Sequence, residues 1–313
     1  MMHRRDALRT LALGGVATAV LGRNATAAPA TPRPPRSPLT PDLDEALQSP
    51  VWACWIGHAT VLLKIGGAWV ITDPVMMEAY GVNVLGLTLG PRRLSPPPIP
   101  IDDLPKPDLI LLSHAHLDHM DRPTLEALSE QHPGQIDVIT AANTQDVIED
   151  LEWRSLNEMD WGDRTSLHGF DLHCLEVKHN GWRWPGEACR ASGQPRTGRS
   201  YNGYYLSHQG TGIVFGGDTA FTQTFGTVPG PVDLAIMPIG AYGSCPDVHC
   251  NPEEALEMTR LMGASMMMPI HHSTFNQVEE PLHEPLQRLH AAIDRTPSPS
   301  LALERTGGSI CLV

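Results

Sequence analysis

SHAHLDHM, residues 113–120, places three histidines and an aspartate within six positions. The apolar run LILL before it (residues 109–112) reads as a buried strand. DRPTLEALSEQ after it (residues 121–131) reads as a helix, with Asp121 as N-cap and Pro123 in the first turn. Packing a core gives no reason to crowd imidazoles at the end of a buried strand, so the cluster points to chemistry. His114 and His116 are two apart, and an extended backbone turns both to the same side. Asp118 and His119 follow where the chain bends.

Other segments place polar groups in the same way. His179 closes LEVKH, Asp218 closes IVFGGD and His271 closes MMMPIH. Strands that each deliver His or Asp at the tip describe a convergent site on one edge of a sheet. Imidazole and carboxylate together suit zinc and similar first-row ions. A single tetrahedral site needs four donors, whereas His114, His116, Asp118, His119, His179, Asp218 and His271 offer more. The surplus indicates two ions sharing a bridging carboxylate, as in two-metal hydrolases.

The length and composition of the chain allow one large or two modest globular domains. It has 313 residues, 41% of them hydrophobic, and a net charge of −13 that repels a nucleic-acid backbone. Residues 1–28 read as an export signal: a basic start, an apolar stretch at 11–21 and small residues around Ala25, Thr26 and Ala27. The Arg4-Arg5 pair resembles a twin-arginine signal, which implies a periplasmic or exported protein. Residues 29–49, proline-rich at their start, read as a linker, and 50–313 as the folded domain. The six cysteines show no CxxC pair and no zinc-finger spacing. Cys245 and Cys250 are the nearest two.

Residues 51–74 read as three strands with a hairpin turn at Gly66-Gly67. Residues 76–107, dense in Gly and Pro, read as a long functional loop. Further strands are expected at IDVITA, FDLHCLEVKH, NGYYLSHQ, GIVFGGD, VDLAIMPIG and SMMMPIH. Helices are expected at NTQDVIEDL, NPEEALEMTRLMG and EPLQRLHAAIDR. Strands and helices mixed in this order imply a layered α/β protein.

SHAHLDH matches the HxHxDH motif of the metallo-β-lactamase superfamily, and His179, Asp218 and His271 follow in that superfamily's order. WIGHATVLLKIGG, ITDPV, PRRLSPPPI, DLPKPDLILLSHAHLDH, IGAY, HCNPEEA and IHHSTF resemble the branch containing N-acyl-phosphatidylethanolamine phospholipase D. The ascorbate-phosphate lactonase-like proteins are more distantly similar. The resemblance spans roughly residues 50–290. It implies an α/β fold, the αββα sandwich, with metals at the sheet edges. It assigns His114, His116 and His179 to one ion, Asp118, His119 and His271 to the other, and Asp218 to the bridge. His249 matches a position facing substrate. Asp73 and His58 are expected to support the ligands by hydrogen bonds, His58 equally well as a core residue. Trp182 and Trp184 could line a pocket. The chain departs from the branch where His272-Ser273 replaces Trp-Gly, and again in residues 180–205; both changes bear on substrate.

The expected cofactors are two divalent ions, zinc first, with manganese or iron as alternatives. The ions would acidify a water for attack, with Asp118 and His249 beside the reaction. No GxSxG elbow is present; GSC at 243–245 does not match it. The expected function is hydrolysis of an N-acyl-phosphatidylethanolamine-like or glycerophospho diester. The expected partners are a small or lipid-like substrate and a peripheral membrane contact, with no nucleic acid. A lactonase or other ester hydrolase is the alternative within enzymes, and a non-catalytic periplasmic metal-binding protein is the alternative outside them.

Overall fold

The computed structural model describes residues 38–85, 87–194, 196–276, 280–295 and 299–312. The expected export signal and the first part of the expected linker lie outside them. The strands are β1 (Val51–Gly57), β2 (Thr60–Ile65), β3 (Ala68–Thr72), β4 (Val82–Val84), β5 (Leu87–Leu89), β6 (Leu109–Leu111), β7 (Asp137–Ala141) and β8 (Ser155–Met159). They continue as β9 (Arg164–Leu167), β10 (Phe170–Glu176), β11 (Asn202–His208), β12 (Thr211–Phe215), β13 (Leu234–Pro238), β14 (Met266–Ile270), β15 (Ser300–Leu301) and β16 (Ser309–Cys311). The helices are α1 (Leu43–Gln48), α2 (Arg122–Gln131), α3 (Pro252–Leu261) and α4 (Glu284–Ile293).

Two seven-stranded sheets form, in the orders β16-β1-β2-β3-β6-β7-β8 and β15-β14-β13-β12-β11-β10-β9. Gly66 and Gly67 both take positive φ, 58° and 97°, which lets β2 turn directly into β3. Alternation along each strand then decides what faces what. In β1, Val51, Ala53 and Trp55 enter the core between the sheets, with Leu63, Leu111, Tyr204 and Phe215. Trp52, Cys54 and Ile56 point outward, toward Ala46 of α1 and Leu125 and Leu128 of α2. On the far side, Val214, Ala235 and Met267 pack under Leu256 of α3 and Leu289 of α4. Helix, sheet, sheet, helix is the αββα sandwich that the sequence implies.

Strand direction places the site. β3 and β6 are parallel, as are β12, β13 and β14. β1 and β10 are each two antiparallel steps away, from β3 and β12 respectively, so they run the same way as those strands. The chain therefore leaves β1, β3, β6, β10, β12 and β14 at carboxyl ends pointing in common directions within each sheet. Ligand sites of α/β sheets form at such ends.

The structure corrects several details. Residues 43–48, inside the expected linker, form α1, with Asp42 capping Glu45 N at 2.9 Å. NTQDVIEDL yields only a 3₁₀ turn at Gln145–Val147. Asn143 takes a left-handed φ of 61° ahead of it, and the Glu158 carboxylate draws off the amides of Thr144 and Gln145. The loop at 76–107 contains the β4–β5 ribbon. β8, β9, β15 and β16 are strands without an apolar period to announce them. α2 and α3 begin as expected, at Asp121 and Asn251, and Asn251 forms a reciprocal capping box with Glu254. All six cysteines are free. Among the described residues no helix is long and apolar enough to cross a membrane.

Phe215 is fully buried between the sheets. Phe215→Ala should destabilise the domain by about 3–5 kcal/mol, read as a lower urea midpoint. A loss below about 1 kcal/mol would show that the sheets close without it.

Candidate metal centre

Every site histidine and aspartate named from the sequence comes to one place. His114, His116, His179 and Asp218 bring donor atoms within 4.8 Å of one another, and so do His58, Asp118, His119 and His271. In the first group, His116 Nδ1 lies 2.9 Å from His114 Nε2 and 3.3 Å from His179 Nε2. In the second, Asp118 Oδ2 lies 3.0 Å from His58 Nε2, 3.5 Å from His271 Nε2 and 3.7 Å from His119 Nε2. Asp218 Oδ2 sits between the groups. It is 3.1 Å from His119, 3.3 Å from His271, 3.8 Å from His179 and 4.0 Å from His114.

The elements that deliver these groups end just short of them. β6 stops at Leu111 and β12 at Phe215, so residues 113–119 and Asp218 stand on the turns beyond. β10 stops at Glu176, and Lys178 then bridges to Ala220, which carries His179 inward. His58 and His271 follow their strands directly, each with a positive φ, 54° and 61°. Non-glycine residues held there are uncommon and collect at functional sites. The His271 amide also donates to the His58 carbonyl at 3.0 Å, joining the two sheets at the cluster.

A second ring of groups fixes which nitrogen of each imidazole faces inward. Asp73 Oδ2 meets His119 Nδ1 at 2.7 Å and the Val248 carbonyl meets His179 Nδ1 at 2.8 Å. Both partners only accept, so each Nδ1 carries a proton and each Nε2 is the nitrogen turned to the centre. Asn180 Oδ1 holds His116 Nε2 at 2.9 Å, and Ser113 Oγ lies 2.8 Å from His114 Nδ1. Support of this kind accompanies metal-binding histidines. Asp73 plays the supporting part expected of it, and His58 bonds to Asp118 while also standing within the second group. Asn180, Ser113 and the Val248 carbonyl were not singled out in the sequence. Asn180 and Ser113 adjoin ligand candidates and could have been; a backbone carbonyl 69 residues away in sequence could not.

Burial and charge divide the imidazoles. Burial holds His114 and His179 well below the ordinary histidine value. It pushes His58 to about 3 and His249 to about 4. Burial opposes charge on His119 and His271 too, but Asp218 and Asp118 raise His119 well above its ordinary value and His271 to about 9. Burial disfavours the ionised form of both aspartates, yet the surrounding histidines, His119 foremost, keep them well below the usual carboxylate range. Several buried atoms of the cluster make no hydrogen bond within the protein: His119 Nε2, Asp218 Oδ1, His271 Nδ1 and Nε2, and His249 Nδ1. Orphaned buried polar atoms demand a partner, and neutral imidazoles with ionised carboxylates are the donor chemistry that divalent cations need.

His249 sits one turn before α3, with Nδ1 3.8 Å from Asp218 Oδ2 and its ring 5.0 Å from that of His179. His272 turns away from His271 and lies against Trp55 at 4.7 Å, inside the fold. Trp182 sets its ring edge on His116 at 5.0 Å; Trp184 lies under the Arg183 guanidinium, at the surface. Tyr80 stacks over His58 at 6.2 Å and meets Phe275 edge-on at 5.0 Å.

A family model described as a beta-lactamase superfamily domain matches residues 68–272. With this fold and this cluster, the chain belongs to that superfamily, and it is a metal-dependent hydrolase within it. An uncharacterized protein of Mycobacterium tuberculosis is 31% identical over 306 residues, covering 92% of this chain and 77% of that one. The N-acyl-phosphatidylethanolamine-hydrolyzing phospholipase D 1 of Caenorhabditis elegans is 29% identical over 268 residues, 79% of this chain and 71% of that one. Among solved structures, isothiocyanate hydrolase from Delia radicum gut bacteria superposes with a TM-score of 0.63 at 15% identity, over 83% of this chain and 98% of that one. At that identity the likeness is one of fold.

Asp73→Ala should leave the buried donors of Ser113 and His119 unpaired, lower the melting temperature, and weaken metal binding about 10–100-fold, the usual cost of losing a supporting group. Competition with a chromogenic chelator measures it. Unchanged affinity would mean that the 113–120 loop holds its own shape.

Proposed function

We propose that the chain binds two divalent cations, zinc in preference, and hydrolyses a phosphodiester of the N-acyl-phosphatidylethanolamine type. The observation that carries the two-cation reading is the position of Asp218 Oδ2, within 4.0 Å of imidazoles from both donor groups. In this reading His114, His116 and His179 hold one ion, Asp118, His119 and His271 the other, and Asp218 is shared. His58 then bears on Asp118 rather than on an ion. The nitrogen-rich donor set with two carboxylates suits zinc, with manganese or iron as alternatives. When bound, the cations supply Lewis acidity toward water and toward the oxygen of the scissile group.

The chain's own residues do the rest. His58 orients the Asp118 carboxylate, whose side chain is 17% exposed and so stands at the open side of the cluster. His249, 11% exposed, stands beside Asp218 at the entrance to α3. The capping box of Asn251 and Glu254 fixes that entrance. His249 is not needed to complete either ligand set. It is placed to hydrogen-bond the substrate or to pass a proton to the leaving oxygen. Trp182 lies against His116 and Tyr80 against His58, so each donor group has an aromatic neighbour. The phosphodiester choice rests on the relative in Caenorhabditis elegans and on those aromatic neighbours, which suit an acyl chain.

Asp218→Ala should lose metal and activity together. His249→Ala should keep its metal and lose roughly 10²-fold in turnover, less on an activated nitrophenyl ester if the role is proton donation. Loss of one metal in that variant would make His249 a ligand. The deciding assay is incubation of the metal-loaded chain with N-acyl-phosphatidylethanolamine. The expected products are a phosphatidic acid and an N-acylethanolamine. Consumption of lactones or carboxylic esters, with every phosphodiester left intact, would overturn the substrate assignment.

A further inference from the structure

We propose that the β4–β5 ribbon is a membrane-inserting element that seats the mouth of the metal centre on a phospholipid surface. The register pairs Val82 with Leu89 and Val84 with Leu87, which puts these four on one face. Asn83 and Thr88 pair on the other. All four apolar side chains are 40–69% exposed, and Leu85 at the tip is 99% exposed. Residues 81–90, GVNVLGLTLG, contain no charged side chain. An apolar ribbon face directed at water runs against the rule that a sheet buries one side. Most of the other large apolar residues exposed among the described ones lie singly, which is ordinary. Here they are contiguous.

The backbone adds a second sign. Leu85 turns the ribbon with a left-handed φ of 52°, a conformation that Asn or Gly adopts at far less cost. A bulky leucine held there points to a use for its side chain.

The ribbon is also rooted at the site. Tyr80, one residue before Gly81, stacks on His58. At the other foot, Arg93 bridges to Phe275, whose ring meets that of His58 at 5.4 Å. Trp182, half exposed, stands against His116 in the other donor group. Tryptophan is favoured where hydrocarbon meets headgroup.

The occupant is a lipid leaflet rather than a second copy of the chain. Strands of three residues, rising about 3.3 Å per residue and paired about 4.8 Å apart, present a face on the order of 100 Å², far below the ~800 Å² per partner of a stable interface. A leaflet imposes no such minimum, and a short uncharged apolar hairpin can enter it at no cost of burying charge. The net charge of −13 disfavours an anionic surface, so the surface is zwitterionic. The inference rests on the lipid reading of the site, because it explains how an insoluble substrate would reach the cluster.

The test is co-sedimentation of the full chain with vesicles of phosphatidylcholine and phosphatidylethanolamine. The full chain should pellet with them, with little dependence on salt. The double variant Val84→Ser, Leu87→Ser should lose about tenfold or more of that partitioning, in line with the loss of buried apolar area. Leu85→Asn should also lose partitioning while its melting temperature holds or rises, since Asn suits the left-handed turn. Metal content should stay unchanged in both. Equal pelleting of parent and variants would overturn the proposal, leaving another segment as the anchor. Failure to pellet, with a dimer that the variants abolish, would overturn it in favour of self-association. Ribbon-dependent pelleting without cleavage of any phospholipid would uphold the anchor and reject the lipid substrate, so the two readings fail separately.

Discussion

The buried carboxylate of Asp73 ties the reactive loop to the sheet. It stands just past β3 at a φ of 33°, fully buried. Alone there, an ionised carboxylate would be costly. It accepts from the Ser113 amide at 2.7 Å, the Ser113 hydroxyl at 2.5 Å and His119 Nδ1 at 2.7 Å. One carboxylate thus joins β3 to the segment after β6 and sets the tautomer of a central imidazole. The same Ser113 hydroxyl reaches His114. The SHAHLDH loop is held from below by a charge that the rest of the fold must keep dry.

A second constraint acts through strand direction. Strands that run alike empty their carboxyl ends onto one edge, so residues from 58 to 271 can converge without long excursions. Convergence brings repulsion as well as proximity. Within the protein alone, Asp118 and Asp218 are balanced by raising His119 and His271 while burial keeps His114 and His179 neutral. Cations held there would satisfy the aspartates and the inward-facing lone pairs of their histidine ligands together. The orphaned buried atoms are the mark of that arrangement.

Much of this was legible in the sequence because the chemistry is concentrated. HxHxDH is contiguous, and His179, Asp218 and His271 each follow an apolar run, so strand ends and ligand candidates announce one another. The caps of α2 and α3 were readable for a similar reason: Asp121 and Asn251 are local signals. The unread elements lack such signals. β8 (SLNEM) and β9 (RTSL) are edge strands that mix polar and apolar residues without a clean alternation. β15 and β16 are too short to show a period. Residues 143–151 carry helical spacing, but the Glu158 carboxylate, a tertiary partner, takes the amides that a helix would need to start. The second ring was legible only in part, since Asp73 adjoins a strand while the Val248 carbonyl has no side-chain signature at all.

The central claim is that Asp218 serves two cations at once. Native mass spectrometry of the folded chain, reconstituted with zinc and freed of excess, measures this most directly. The account predicts two zinc ions per chain, with both lost in an Asp218→Ala chain that remains folded. A single zinc per chain in the parent, at any zinc concentration that leaves it folded, would contradict it.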